Sequence, residues 1–196
     1  MSNVIVGISD CRVSGNTEDS LVTYALGSCI AIAIHDPVAC VGGLLHYMLP
    51  ESNLHKERSS ENPYMFADSG VPLLFREAYK RGADKKRLIV RVAGGAQVMS
   101  DGEVFNIGKR NYLALKKILW KAGVMIHAEA VGGSVSRTVR LEVGSGRMLM
   151  REAAGAEQEL VPPKQHSLAS RHALAYPAFA EAGRHAEAAP AGTLKI

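Results

Sequence analysis

The stretch TYALGSCIAIAIHDPVACVGGLLHYML, residues 23–49, contains two apolar runs separated by a short turn. In the first run, CIAIAIHD (29–36), isoleucines alternate with smaller residues, which are Cys29 and two alanines. This alternation is typical of a β-strand, because successive side chains of a strand point to opposite faces. Asp36-Pro37 predicts a turn. The residues VGGLLHYML (41–49) then predict a second strand, antiparallel to the first because the connection is short.

Strand and helix patterns continue on both sides of this hairpin. We expect a first strand at NVIVGIS and later strands at RLIVRVAGGA, VMIHAEAV, RTVRLEV and RMLMRE, the last two joined across Gly144–Gly146. One helix is expected between Pro63 and Gly82, with Pro72 in its first turn and a regular part from about Ser69. Its predicted buried stripe comprises Val71, Leu74, Phe75, Ala78 and Tyr79.

A second amphipathic helix is predicted at NIGKRNYLALKKILWKAG, with Gly123 as its C-terminal stop. No internal repeat stands out. These patterns together predict a sheet-rich α+β domain with two main helices.

The composition limits the class of protein. The chain has 196 residues, of which 47% are apolar and 21% charged, as expected for a soluble globular domain with a substantial core. The longest apolar run, Cys29 to Ile34, is too short to cross a membrane, and the N-terminus lacks the pattern of a signal peptide. Three cysteines form no disulfide framework, so we expect a reduced, cytoplasmic setting. The net charge of +4 is modest and does not favour nucleic acid as a partner.

The composition changes at about residue 151. Residues 1–151 carry the alternating strand and helix patterns, whereas residues 152–196 are rich in alanine, contain several prolines and have few large apolar side chains. Prolines interrupt any long helical period in this segment. We therefore predict one domain over 1–151 and a flexible or weakly helical tail over 152–196.

The turn before the first hairpin strand carries the residues best suited to chemistry. Cys29 follows Gly27-Ser28, and His46 lies 17 positions after it on the neighbouring predicted strand. A cysteine attacks carbonyl carbon as its thiolate, with a nearby base. Backbone N–H groups at Gly27 and Ser28 are candidates for an oxyanion hole, and Thr23 is placed to orient the imidazole.

A purely structural interpretation of these residues remains open at this point. Free cysteine is among the most buried residue types, and a histidine within an apolar strand is often structural. Cys11 and Cys40 could join Cys29 around zinc, but they lack the usual ligand spacing, and the glycine pairs AGGA and VGGS lack a nucleotide-binding fingerprint. We expect neither a metal nor a cofactor.

Five blocks of the sequence, taken together, carry a family resemblance. TYALGSC, GGLLHYMLP, AGGAQVM, NIGKRN and VGGSVSRTVRLEVGSGRMLMR resemble, in order and spacing, the chemoreceptor glutamine deamidases of the CheD family, over roughly residues 3–151. The resemblance implies an α/β/β layered sandwich, with Cys29 as nucleophile, His46 as base and Thr23 as the residue that orients it. The chain departs from the family pattern at Ala130, where Asp is common, and at Ser136, where Gly is common.

The resemblance also implies a reaction and its partners. The reaction would hydrolyse glutamine side-chain amides on the cytoplasmic helical domain of methyl-accepting chemotaxis receptors, through a cysteine thioester. Two alternatives remain. The first is a non-catalytic adaptor that binds receptors and a CheC-type phosphatase, and would not need Cys29. The second is a small-molecule amidase, which would need a deep, closed pocket.

Overall fold

The computed structural model describes residues 2–53, 56–97, 106–153 and 155–162. These residues form ten strands, three α-helices and one 3₁₀ turn. The strands are β1 (Ser2–Ile5), β2 (Asp10–Ser14), β3 (Asp19–Leu26), β4 (Ile30–Asp36), β5 (Val41–Tyr47), β6 (Ile89–Gly94), β7 (Ala128–Val131), β8 (Arg137–Glu142), β9 (Met148–Glu152) and β10 (Gln158–Glu159). The helices are α1 (Lys56–Glu61), α2 (Ala67–Tyr79) and α3 (Ile107–Lys121), with the 3₁₀ turn at Pro63–Met65.

The strands form two five-stranded sheets. The central sheet has the order β2-β5-β4-β6-β7, and the outer sheet has the order β1-β3-β8-β9-β10. Within the central sheet, β4 and β5 pair antiparallel from Ile30–Tyr47 to Asp36–Val41, which confirms the predicted hairpin. Every residue of these two strands is buried, because the central sheet is covered on both faces.

The central sheet lies between the helices and the outer sheet. The isoleucines of β4 share a hydrophobic cluster with side chains of α2 and α3, such as Leu74 and Leu115. The alanines of the same strand pack instead in a second cluster with outer-sheet residues, such as Leu21 and Val139. The alternation seen in the sequence therefore divides the side chains of β4 between two interfaces. The isoleucines face the helices, and the alanines face the outer sheet. The fold is α+β and sheet-rich, with helices, central sheet and outer sheet in successive layers.

The first long helix begins earlier than the sequence suggested. Pro72 lies inside α2, five residues after its first residue Ala67, and not in its first turn. The proline still falls near the helix start, where its missing N–H removes only the bond to the carbonyl of Asp68. The predicted stripe is confirmed for Val71, Leu74, Phe75 and Ala78, which are fully buried, whereas Tyr79 packs at its edge.

Two strands of the N-terminal part were not predicted. β2 pairs with β5 at one edge of the central sheet, and β3 pairs with both β1 and β8 in the outer sheet. A bulge interrupts β3 between Thr23 and Leu26, where Ala25 has a φ of 54°. Because Thr23 lies on β3, the path of this strand determines the position of one candidate site residue.

The chain beyond residue 151 is described only in part. β9 extends to Glu152, and β10 adds a short antiparallel partner to it through Gln158 and Glu159. The predicted tail over 152–196 otherwise lies outside the described residues from 163 onward. Among the helices that the structure describes, none is both long and apolar enough to span a bilayer.

Candidate active site

Thr23 and His46 meet between the two sheets. Thr23 belongs to β3 of the outer sheet and His46 to β5 of the central sheet, and both residues are fully buried. The Oγ1 atom of Thr23 lies 2.7 Å from Nδ1 of His46, within hydrogen-bonding distance. The other ring nitrogen, Nε2, is buried and has no hydrogen-bond partner among the described residues. The structure thus brings these two predicted residues into contact and leaves Nε2 available.

Cys29 lies on the same face of the central sheet as His46. In the β4–β5 ladder Ala31 pairs with His46, so Cys29, two residues before Ala31, lies diagonally from the histidine and not directly opposite it. Cys29 is half-buried and packs against the cluster between the two sheets, the same interface that holds the Thr23–His46 pair. The short turn at residues 37–40 sets this register, which places all three predicted residues at one end of the sheet interface.

The loop from Gly27 to Cys29, here called the Cys29 loop, is held in place by hydrogen bonds to its backbone carbonyl groups. The carbonyl oxygens of residues 27, 28 and 29 each accept a hydrogen bond from a different donor. The donors are Ala96 N to Gly27 at 2.8 Å, Asn111 Nδ2 to Ser28 at 3.0 Å and Gly95 N to Cys29 at 2.7 Å. The N–H groups of these three residues donate no hydrogen bond to any other residue that the structure describes. The backbone N–H groups of Gly27 and Ser28 therefore lie unpaired among the described residues, as the donors of an oxyanion hole must be.

The glycine pair of the AGGA block makes this arrangement sterically feasible. Gly94 and Gly95 have φ values of 113° and 64°, in the region that favours glycine. A Cβ atom at Gly94 would lie only 2.2 Å from the carbonyl oxygen of Cys29. The pair thus allows β6 to approach the loop that carries Cys29 closely, a role that the sequence did not indicate.

Burial keeps the candidate pair neutral. It lowers the pKa of His46 to about 4, because the protein interior disfavours the imidazolium. Burial also raises the pKa of the Cys29 thiol, an effect that a hydrogen bond from its own backbone N–H partly offsets. At neutral pH both groups are therefore uncharged, Cys29 as a thiol and His46 as a neutral imidazole.

Two buried residues that the sequence did not single out support the loops of the site. Asn111 of α3 donates to the carbonyl of Ser28, and Arg137 of β8 donates to the carbonyls of Gly132 and Gly94 at 2.7 and 3.3 Å. Asn111 occupies a position in the apolar stripe of α3. A polar residue within such a stripe was the available signal, whereas nothing in the sequence marked Arg137.

Two further histidines have structural partners. Nε2 of His35 lies 2.9 Å from the carbonyl oxygen of Val143, and Nδ1 of His127 accepts from the backbone N–H of Val90 at 3.1 Å. Both contacts anchor loops or strand ends away from Cys29.

Comparison with known proteins adds an independent line of observation. The family model described as CheD, chemotactic sensory transduction, matches residues 48–152, just over half of the chain. A probable chemoreceptor glutamine deamidase CheD of Solibacter usitatus is 58% identical over 162 residues, which cover 83% of this chain and 95% of the relative. The chain belongs to the CheD family.

Other CheD relatives extend over most of the chain as well. The Syntrophus aciditrophicus protein named probable chemoreceptor glutamine deamidase CheD 1 is 52% identical over 160 residues, covering 82% of this chain and all of the relative. A CheD protein of Pyrococcus abyssi, with the same kind of name, is 40% identical over 154 residues, 78% of this chain and 93% of the relative. The match to the family model begins at Met48, after Thr23, Cys29 and His46. The roles of these three residues therefore depend on geometry and on chemistry.

Proposed function

We propose that this protein is a chemoreceptor glutamine deamidase in which Cys29 is the nucleophile, His46 the base and Thr23 the residue that orients the base. The observation that carries the proposal is the buried Thr23–His46 hydrogen bond, which spans the two sheets beside a half-buried cysteine. The family membership and the names of the relatives support the same activity.

In the first step, the thiol of Cys29 attacks the side-chain carbonyl carbon of a glutamine. Nε2 of His46 accepts the thiol proton, since the imidazole is neutral at physiological pH. The backbone N–H groups of the loop from Gly27 through Ser28 to Cys29 stabilise the negative charge that develops on the carbonyl oxygen. The tetrahedral intermediate then collapses, and His46 returns the proton to the departing nitrogen, which leaves as ammonia.

In the second step, the thioester between Cys29 and the substrate is hydrolysed. His46 is neutral again after the loss of ammonia, and it accepts a proton from water as the water attacks the thioester carbon. The same backbone N–H groups stabilise the second oxyanion. The C–S bond breaks, Cys29 regains its proton from His46, and the substrate side chain leaves as glutamate.

Thr23 determines which tautomer of His46 is present. When Nδ1 carries the ring proton and donates it to Oγ1 of Thr23, the lone pair is on Nε2, the form that a general base requires. The interaction is buried, so water does not compete for Nδ1. Thr23 thus holds the imidazole without touching the substrate.

We further propose that the substrate glutamines lie on the cytoplasmic helical domain of methyl-accepting chemotaxis receptors and that the protein acts in the cytoplasm. The receptor as the class of partner is supported by the names of the relatives. Cys29 is only half-buried and its loop borders solvent, which suits a side chain presented by another protein.

The test is direct. The protein is incubated with purified receptor cytoplasmic fragments, and peptide mass spectrometry follows conversion of glutamine to glutamate. We expect conversion with the native protein and none with Cys29→Ala, while Cys40→Ala, a matched control at another half-buried cysteine, retains it. Conversion by Cys29→Ala equal to that of the native protein would refute the mechanism.

The alternative function, a non-catalytic adaptor for receptors and a CheC-type phosphatase, rests on the family resemblance alone. It gives a different result in cells, because an adaptor does not need a nucleophile. A Cys29→Ala strain with normal chemotactic adaptation would favour the adaptor, whereas loss of adaptation together with loss of conversion supports the deamidase.

A further inference from the structure

Asn111 is a fully buried polar residue on the apolar face of α3. It shares that face with Gly108, Leu115 and Leu119, all of them buried. Burying an amide without hydrogen-bond partners is unfavourable, so its hydrogen bonds must account for its presence in this stripe. Those bonds connect Asn111 to the backbone beside Cys29 and to the backbone beside His46.

The side-chain amide NH2 group of Asn111 joins the Cys29 loop to the strand that carries His46. Nδ2 of Asn111 donates to the carbonyl oxygen of Ser28 at 3.0 Å and to that of Met48 at 2.7 Å. Ser28 precedes Cys29, and Met48 follows His46 by two residues. If Oδ1 and Nδ2 were exchanged, Oδ1 would face two carbonyl oxygens, and an oxygen cannot donate a hydrogen bond to either. These two partners therefore fix the orientation of the Asn111 amide.

The bond to Ser28 also fixes the direction of a neighbouring N–H group. In a trans peptide the C=O and the following N–H point in opposite directions, and no cis peptide is present in the described chain. Since the carbonyl of Ser28 points toward α3, the N–H of Cys29 points away from the helix.

α3 is itself anchored at this point. The hydroxyl of Tyr47, the residue after His46, donates to the backbone carbonyl of Asn111 at 2.9 Å. One turn earlier, a Cβ atom at Gly108 would lie 2.4 Å from the carbonyl oxygen of Gly95, so the helix packs directly against the backbone of Gly95. The Asn111 side chain therefore projects from a fixed position.

We propose that Asn111 is a positioning residue that sets the separation between the Cys29 loop and the His46 strand and directs the N–H of Cys29 at the developing oxyanion. This inference rests on the proposed deamidase function. Asn111 touches neither substrate nor reacting atoms and acts through the backbone of Ser28 and Met48.

Asn111→Leu tests the proposal, because leucine has a similar shape and lacks both donors. The matched control is Asn62→Leu, which removes the donation from Asn62 Nδ2 to the carbonyl of Ser9, at 2.9 Å, away from the Cys29 loop. Three quantities are measured on the full chain: kcat and KM for conversion of receptor glutamines, and the pH dependence of Cys29 alkylation by iodoacetamide. The last needs no receptor.

We expect Asn111→Leu to lower kcat by about 10- to 100-fold with little change in KM, because misplacing the reacting groups affects the chemical step and not substrate binding. Its alkylation profile shifts to higher pH as the N–H of Cys29 loses its fixed direction. Asn62→Leu retains the native kcat and profile even where its melting temperature falls.

A native kcat and a native alkylation profile in Asn111→Leu would overturn the proposal, as would equal losses in both variants. Should Asn111→Leu not fold, Asn111→Ser, which keeps one donor, decides in its place: an intermediate kcat with native KM supports positioning, and a native kcat overturns it. If the native protein converts no glutamine, the deamidase function fails, and the alkylation profile still tests Asn111.

Discussion

At the scale of single residues, the Thr23–His46 contact is the feature of the site most open to test. Thr23→Ala removes the hydroxyl that holds Nδ1, so we expect kcat to fall by about 10- to 100-fold, less than after loss of Cys29 or His46. The fold should survive, with a cost of about 1–3 kcal/mol for the unpaired ring nitrogen. Thr23→Ser is the matched control and should keep most of the activity. Unchanged turnover in Thr23→Ala would leave a Cys29–His46 dyad.

The low pKa of His46 gives a second prediction at this scale. Burial lowers that pKa to about 4, so the imidazole stays neutral and able to accept a proton through most of the acidic range. We expect kcat/KM for conversion to stay level from about pH 8 to about pH 5 and to fall as the pH approaches 4, where His46 becomes protonated. The profile is measured with a receptor fragment whose folding is checked at each pH. An acidic limb at the ordinary histidine pKa of about 6.5 would contradict the buried, neutral base.

At the scale of elements, Asp36 secures the β4–β5 hairpin. Its buried carboxylate accepts from the backbone N–H groups of Val38 and Ala39 and forms an ion pair with Arg87 at 2.7 Å. These bonds hold the pKa of Asp36 well below its usual range. Asp36→Asn should lower the free energy of unfolding by about 3 kcal/mol at pH 7, because the Arg87 cation and the turn lose their charged partner.

The pH dependence of this stabilisation has a definite sign. Asp36 has a lower pKa in the folded than in the unfolded state, so its contribution is present above the unfolded value of about 3.9 and declines as the pH falls below it. The difference in unfolding free energy between the native protein and Asp36→Asn should therefore shrink between about pH 5 and pH 3, measured by urea denaturation. Equal stabilities at pH 7 would show that the hairpin does not depend on this carboxylate.

The same hairpin shows what a sequence can and cannot predict. The alternation of isoleucine and alanine in β4 predicted the strand and its two faces, because period two is a local property. β3 was missed, since its bulge at Ala25 and its short flanking segments obscure the alternation. The contact of Thr23 with His46 depends on how one sheet stacks on another, which no local pattern encodes. The position of Thr23 before the turn suggested an orienting role, and the family resemblance implied the same role. Asn111, in contrast, is visible in the local sequence pattern, as a polar residue within the apolar stripe of α3.

At the scale of the whole molecule, the described part of the layered fold extends to residue 162, through the short strand β10. β10 pairs with β9 through Gln158 and Glu159, Leu160 N donates to the carbonyl of Met148 at 2.8 Å, and Glu159 bonds Arg147 at 3.0 Å. A chain that ends at residue 162 should therefore keep the melting temperature and kcat of the full chain. One that ends at residue 152 should stay folded and active but lose about 1–2 kcal/mol with these bonds.

These truncations test the predicted boundary between domain and tail. Both variants are compared with the full chain by calorimetry and by conversion of receptor glutamines. A chain ending at residue 162 that aggregates, or no longer melts cooperatively, would show that residues 163–196 pack on the domain.

The most direct test of the proposed chemistry compares the loss of activity with alkylation of each cysteine in the same sample. Iodoacetamide is added in steps, peptide mass spectrometry gives the modified fraction of Cys11, Cys29 and Cys40, and the conversion rate is measured after each step. We predict that activity falls in proportion to the modified fraction of Cys29 alone, and that substrate slows modification at this site. Full activity in protein whose Cys29 is completely alkylated, or a loss that follows Cys11 or Cys40, would contradict Cys29 as the nucleophile.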